Sequence, residues 1–226
     1  VARYRAAGHW RGETFPAMLR ERAQRFAERT AIVGGDERWT YAELQRRAEA
    51  IATGLLARGL QPGERLAVLA FNSDNYIELF FAAAWANLVI VPLNTRWAIP
   101  ENIYSLKDAG CAALVVDDGF APQVPELLKG HPMAQVVHMG DQATPAGMHA
   151  HEALIAQSAP MADECGRDDD LCGIYYTGGT TGHPKGVMLS HKNFVAASIN
   201  WIATLHFSDQ TGYMHSAGLF HLAGAS

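Results

Sequence analysis

Apolar positions along this chain alternate between a helical and a strand rhythm, and the alternation predicts a strand–helix repeat. Phe15, Leu19, Arg22 and Phe26 fall near one face of a helix over 15–28, entered through Thr14 as N-cap with Pro16 in its first turn. Residues 31–33 and 38–39, joined by Gly34-Gly35-Asp36-Glu37, predict a short hairpin. Thr40 followed three positions on by Glu43 is a capping box. Leu44, Ala48, Ile51 and Leu55 then repeat at helical spacing until Gly59 stops the helix. Residues 66–71 are a continuous apolar run, the pattern of a parallel strand covered on both faces.

The repeat goes on. Asn72-Ser73-Asp74 caps a helix over 76–86, and 88–93 is another buried strand. A helix over 100–110, a strand over 111–117, a short helix over 126–129, a strand over 135–139 and a helix over 151–157 follow. Such a series predicts an α/β fold: a mostly parallel sheet with flanking helices in three layers and right-handed crossovers. Residues 158–170, SAPMADECGRDDD, break the pattern with five acids and read as a surface linker. They divide a first lobe, 1–157, from a segment over 171–226 that begins a second one. That segment reads as strand 171–177, a loop, strand 187–189 and a helix over 191–206, with Phe194, Ala197, Ile199 and Ile202 as the helix's apolar side.

Composition narrows the class. With 226 residues, 49% apolar and 18% charged, the chain has the make-up of a soluble globular protein with room for a real core. A net charge of −5 without a basic block argues against electrostatic binding to nucleic acid. The three cysteines, Cys111, Cys165 and Cys172, form no CxxC pair, which points to reduced thiols and a cytoplasmic setting. The longest apolar run, 79–91, is interrupted by Asn87 and falls short of the ~20 residues of a membrane span. The first residues lack the apolar core of a signal peptide.

The candidate chemistry sits in residues 175–191, YYTGGTTGHPKGVMLSH. Thr177, Thr180 and Thr181 alternate with Gly178, Gly179 and Gly182, and Lys185 follows Pro184. Bare backbone N–H groups, hydroxyl donors and one cation suit the oxygens of a polyphosphate. A plain tight turn needs one or two glycines, not this many. The P-loop GxxxxGK[ST] is a second possibility, but there the lysine follows glycine and opens a helix. Here Pro184 precedes Lys185, Gly186 follows it, and a strand-like run comes next. The segment therefore predicts strand–loop–strand, distinct from a Walker loop.

From Tyr176 to Gly186 the string resembles the phosphate-binding signature of the adenylate-forming superfamily, [YF]-T-[SG]-G-[TS]-T-G-x-P-K-G, at every fixed position. That superfamily comprises acyl-CoA synthetases, aryl-CoA ligases, luciferases and peptide-synthetase adenylation domains. Gly178 stands where many members carry serine, and the TGGTT form is similar to the acyl-CoA ligase branch. The order TYAEL, GERLAV and VPLN resembles the family's N-terminal region, so the likeness covers nearly the whole chain. A second segment, YMHSAGLFHLAG over 213–224, resembles the family's -P-[LM]-F-H-x-x-G core beside the acyl and adenylate pocket. His221 matches its carboxylate-aligning histidine, and Gly218 stands where proline is usual. Taken alone, His221 reads also as a hydrogen-bonded core histidine.

The resemblance implies activation of a carboxylic acid, a fatty acid in this branch, as an acyl adenylate with release of pyrophosphate, then transfer to CoA. ATP, Mg2+ and CoA are its cofactors, and a homodimer is compatible with it. Thr177, Thr180, Thr181 and Lys185 would donate to phosphate oxygens, and Gly178, Gly179 and Gly182 would admit the backbone close to them. The family's adenine-binding segment with its acidic magnesium ligand, its ribose-binding aspartate, its hinge and its catalytic C-terminal lysine have no counterpart here. The expectation is an N-terminal fragment that does not turn over alone. A peptide-synthetase adenylation domain, an aryl-CoA ligase and a non-catalytic nucleotide-binding module are the alternatives. No metal site is expected: His149, His151 and Glu152 lack a distant further ligand. His183, at the signature's variable position, is expected to be solvated, and Trp85, Trp97 and Trp201 to be packing residues.

Overall fold

A computed structural model describes Arg3 and residues 12–162, 166–178 and 183–221. Helix α1 (Phe15–Arg25) starts where Thr14 accepts the Ala17 N–H, and strands β1 (Thr30–Gly34) and β2 (Glu37–Thr40) form the expected antiparallel hairpin. The Thr40–Glu43 capping box is formed in both directions and opens helix α2 (Tyr41–Ala57). The alternating series follows: β3 (Arg65–Leu69), α3 (Asp74–Trp85), β4 (Val89–Pro92), α4 (Ile99–Ala109) and β5 (Cys111–Val116). After these come α5 (Val124–Gly130), β6 (Gln135–His138), β7 (His149–Ala150) and α6 (His151–Gln157). Strands β8 (Leu171–Thr177) and β9 (Lys185–Ser190) and helix α7 (His191–Leu205) complete the series.

Seven strands form one sheet in the order β7-β6-β5-β3-β4-β8-β9. Neighbours are parallel except β8 and β9, which are antiparallel. The chain lays β4 on one side of β3 and then returns to lay β5 on the other, so the strand order reverses beside β3. In open α/β sheets that reversal leaves a crevice at the carboxyl ends of the strands. The acidic segment thus leads from one part of this sheet to another, since β8 pairs with β4.

Alternate residues on each strand face opposite layers, as the strand period requires. Leu66, Val68, Ile90 and Val115 pack with Leu44, Ile51 and Leu55 of α2, Leu79 of α3 and Leu154 of α6. Ala67, Leu69, Val91, Leu114 and Val116 pack on the other face with Leu106 of α4 and Leu127 of α5. The sheet is therefore sandwiched between helices on both sides, the three-layer arrangement expected. Each fully covered Leu or Ile contributes about 1.5–3 kcal/mol relative to exposure.

Three expectations change in detail. The linker is tied down rather than merely lying on the surface: the Trp85 indole donates to Met161 O at 3.0 Å, and Thr53 donates to Ala159 O at 2.7 Å. Asp168 is buried, and the carbonyls of Asp168 and Asp170 accept the N–H groups of Lys192 and His191, closing the amino end of α7. Trp85 is a core residue, but Trp201 is 46% exposed, because only the first turns of α7 rest on the body through Phe194 and Val195. Ile199, Ile202 and Leu205 are exposed with it, so of the helix's expected apolar side only Phe194 is buried and Ala197 half-buried.

A buried ion pair lies inside the core, whereas among the described residues the Tyr76 and Tyr175 hydroxyls are buried there without a hydrogen-bond partner. Arg47 forms a bidentate pair with Glu78, through its Nε to Oε1 and through Nη2 to Oε2 at 3.0 Å. Glu152 also accepts from Arg47 Nη2, at 2.7 Å, and His151 Nε2 lies 3.4 Å from Glu78. The guanidinium carbon lies 4.2 Å from the Trp39 ring centroid. His151 and Glu152 thus belong to an ion-pair network. Among the described residues no group of three or more His, Cys, Asp or Glu could hold a metal ion.

His191, 1% exposed, accepts the Phe15 N–H at Nδ1 over 3.4 Å. Burial pushes its pKa from 6.5 down to about 4, against an opposing pull from Asp170. An unfolded chain takes up this proton below pH 6.5 while the folded one does not, so the histidine's contribution is present above 6.5 and lost as pH falls through about 4. The expected loss approaches ~3 kcal/mol. Denaturant unfolding of the wild type and His191→Gln across that window checks it: equal slopes of stability against pH would contradict the assignment.

Candidate active site

Strands β8 and β9 carry the Gly/Thr/Lys stretch, and they meet as the predicted strand–loop–strand. Their register pairs Tyr175 with Val187, Tyr176 with Gly186 and Thr177 with Lys185. Lys185 is therefore the first residue of β9 rather than a loop residue, and the ladder holds its backbone opposite Thr177. The Thr177 hydroxyl donates to Lys185 O at 3.4 Å across this neck. Both side chains are exposed, and Gly178 follows in the open. Gly179, Thr180, Thr181 and Gly182 lie outside the described residues.

Helix α4 holds both legs of the hairpin. Tyr176 OH, on the incoming leg, donates to Asp108 Oδ2 at 2.7 Å. His183, where the outgoing leg begins, stacks on Tyr104 with ring centroids 4.6 Å apart and planes 13° from parallel. His183 is exposed, as expected, yet one of its faces is covered. Burial and the Asp108 carboxylate hold the Tyr176 phenol well above its ordinary pKa, so it is a donor throughout the physiological range. Tyr104 and Asp108 are one helical turn apart and share a face. Sequence reading missed both, because the helical spacing is visible while its partner across the sheet is not.

Gly186 shows how tightly the neck is built. A Cβ there would lie 2.7 Å from Ile174 Cγ2 and 3.2 Å from the Tyr176 ring, whereas one on Gly178 would meet nothing within 4 Å. Gly186→Ala is expected to destabilise the chain by about 1–3 kcal/mol through overpacking, and Gly178→Ala to leave stability nearly unchanged. Denaturant midpoints for the two variants test the contrast, and equal midpoints would remove the steric account.

The second candidate, His221, comes from a different part of the sheet edge. The chain leaves α7 at His206, is held by Arg29, whose Nη1 lies 3.3 Å from Asp209 Oδ2, and reaches the carboxyl end of β3. There the Asn72 side chain donates to Ala217 O at 2.7 Å and accepts the Leu219 N–H at 2.8 Å. Leu219 is buried in the core, and the His221 N–H closes a turn onto Gly218 O at 2.9 Å. His221 is exposed. The three residues read as one cap divide the work: Ser73 caps α3, Asp74 accepts the Trp39 indole N–H at 3.0 Å, and Asn72 receives the incoming segment. Because β3, β4 and β8 are parallel, the Thr177 end of β8 and the Asn72 end of β3 lie on the same edge of the sheet. A cleft of about 630 Å3 opens beside the docked segment, lined by Leu19, Val33, Asp74, Phe81, Tyr213 and His215 among others.

An open, doubly wound sheet with a Gly/Thr/Lys hairpin on its carboxyl edge defines the class of protein. Over residues 19–226 the chain matches the AMP-binding enzyme family, and it belongs to that family. A feruloyl-CoA synthase from Amycolatopsis sp. is 36% identical over 202 residues, covering 89% of this chain and 38% of that protein. The long-chain-fatty-acid–CoA ligase FadD13 of Mycobacterium tuberculosis is 35% identical over 210 residues, covering 91% of this chain and 41% of that protein. Among solved structures, ATP-bound MatB from Rhodopseudomonas palustris aligns with a TM-score of 0.81 at 30% identity, over 94% of this chain and 41% of that one. The chain spans about two fifths of the length of the curated relatives it matches.

Proposed function

We propose that this chain is the N-terminal part of an ATP-dependent acyl-CoA ligase that activates a fatty acid as its acyl adenylate, releases pyrophosphate and passes the acyl group to CoA. The observation that carries this reading is the β8–β9 neck, which presents Thr177 and Lys185 side by side at the mouth of a glycine-rich loop. An attacking carboxylate and a triphosphate repel one another, and donors and a cation on the phosphates offset that charge as pyrophosphate departs. In this role Thr177, Thr180, Thr181 and Lys185 donate to phosphate oxygens. Gly178, Gly179 and Gly182 let the backbone approach, and His221 aligns the carboxylate. Magnesium accompanies a triphosphate, and no residue of this chain is assigned to it. The same reading has the protein act in the cytoplasm and is compatible with a homodimer.

The feruloyl-CoA synthase relative favours a second reading, in which the acid is aromatic. Acid-dependent ATP–pyrophosphate exchange by the full-length protein, with fatty and aryl acids compared, tests both. Exchange with fatty acids supports the first, exchange restricted to aryl acids supports the second, and exchange with neither sinks both. The 226 residues alone are expected to show no exchange.

A further inference from the structure

We propose that Asn72 is a positioning residue for the acid substrate, acting through the segment that carries His221. The inference rests on the assignment of His221 to the carboxylate.

A planar side-chain amide offers one acceptor and two donors, the same groups a peptide unit offers. Asn72 uses both kinds on backbone groups two residues apart, taking the Leu219 N–H at 2.8 Å and giving to Ala217 O at 2.7 Å. The two bonds bracket Gly218, where the chain bends at Ala217 and turns at Leu219, so one side chain holds that bend from both ends. It fixes both the direction and the register of residues 217–219. A slip of one residue would present Ser216 O with the Gly218 N–H, or Gly218 O with the Phe220 N–H, in their place.

Asn72 can impose this register because its own backbone has little freedom. On one side the Phe71 N–H is bonded to Asp117 Oδ2 at 2.8 Å, beyond the end of β5. On the other, Ser73 caps α3. Asn72 therefore stands on a fixed post beside the crevice where the strand order reverses. The segment it receives arrives from far along the chain, with sequence separations of 145 and 147 between the bonded partners. Its other anchor, the Arg29–Asp209 pair, has side chains 39% and 54% exposed, and such pairs hold weakly in water. Leu219 enters the core and the next turn, His221 N–H to Gly218 O, sets His221 directly from the clamped residues. A histidine misplaced by an ångström loses much of its value in alignment.

The test uses the full-length ligase and acid-dependent ATP–pyrophosphate exchange. Asn72→Ala and the isosteric Asn72→Asp are compared with His221→Ala and the Asn72→Ala/His221→Ala double variant. Asn72→Asp keeps the acceptor for Leu219 and turns a carboxylate oxygen toward Ala217 O, so it breaks the clamp without removing volume. Both single Asn72 variants are expected to lower kcat/KM for the acid about tenfold or more while the KM for ATP stays within about twofold, and the double variant to lose no more than His221→Ala alone. A loss in the double variant equal to the product of the single losses, or a matching rise in the KM for ATP, would reduce Asn72 to a general structural residue and overturn the proposal. Unchanged Asn72 variants beside an impaired His221→Ala would overturn the clamp and leave the site assignment standing. Unchanged activity in all of the variants would overturn the assignment of His221 and the clamp with it.

Discussion

If the proposed function holds, Lys185→Ala in the full-length protein is expected to lower ATP–pyrophosphate exchange by about ten- to a hundredfold, the loss of one charged hydrogen bond of ~1.5–3 kcal/mol. Lys185 is exposed, and among the described residues it makes no ion pair that would have to break before it met a phosphate. Its backbone is fixed by the pairing with Thr177, so the substitution removes the cation without loosening the neck. The effect is expected in kcat/KM for ATP, with the melting temperature unchanged. Lys185→Arg, which keeps the charge in a different shape, should retain part of the activity. Full exchange activity in Lys185→Ala would remove Lys185 from the proposed phosphate site.

The largest effect on stability is expected at Glu78. Arg47 and Glu78 have side chains 7% and 0% exposed, and each supplies the other's compensating charge. Glu78→Ala leaves a guanidinium buried with only the mostly solvent-exposed Glu152 to face it, and the expected cost is about 3–5 kcal/mol. Glu152→Ala removes a partner whose side chain is 66% exposed and is expected to cost less than about 1 kcal/mol. Urea unfolding followed by tryptophan fluorescence gives both values, since Trp39 lies against Arg47. Similar midpoints for the two variants would show that burial of the pair does not govern its contribution.

The fold was legible where a local rule decides the structure. Capping at Thr14, Ser73 and the Thr40–Glu43 pair, and the strand pattern from 66 to 139, depend on neighbours in sequence, and apart from the unexpected short β7 the helices and strands stand within a few residues of expectation. The strand–loop–strand reading of 175–191 succeeded for the same reason: Pro184 and Gly186 are poor openings for a helix. What escaped was set by partners far along the chain. Asp108 and Tyr104 look like ordinary surface residues of α4 until β8 and the His183 leg arrive beside them. Asn72 has the composition of a helix cap, and nothing near it in sequence says that its amide will grip residues 217–219. Asp168 reads as linker charge because burial follows from its neighbours in space. Trp201 and Ile202 failed in the opposite sense, since helical period marks an apolar side without saying how far the body extends beneath it.

Helix α4 is a shared support for the two legs of the β8–β9 hairpin. Asp108 bonds the incoming leg through Tyr176 and Tyr104 stacks on His183 of the outgoing one, so a single helix face holds both. The opposite bearing is α5, where Gly130 sits so close to Ile103 that a Cβ would come within 2.5 Å of its Cδ1. Bulk at Gly130 would press on Ile103 of α4, the helix whose Tyr104 and Asp108 hold the hairpin's legs. A residue outside the hairpin thus bears on how its two legs are held.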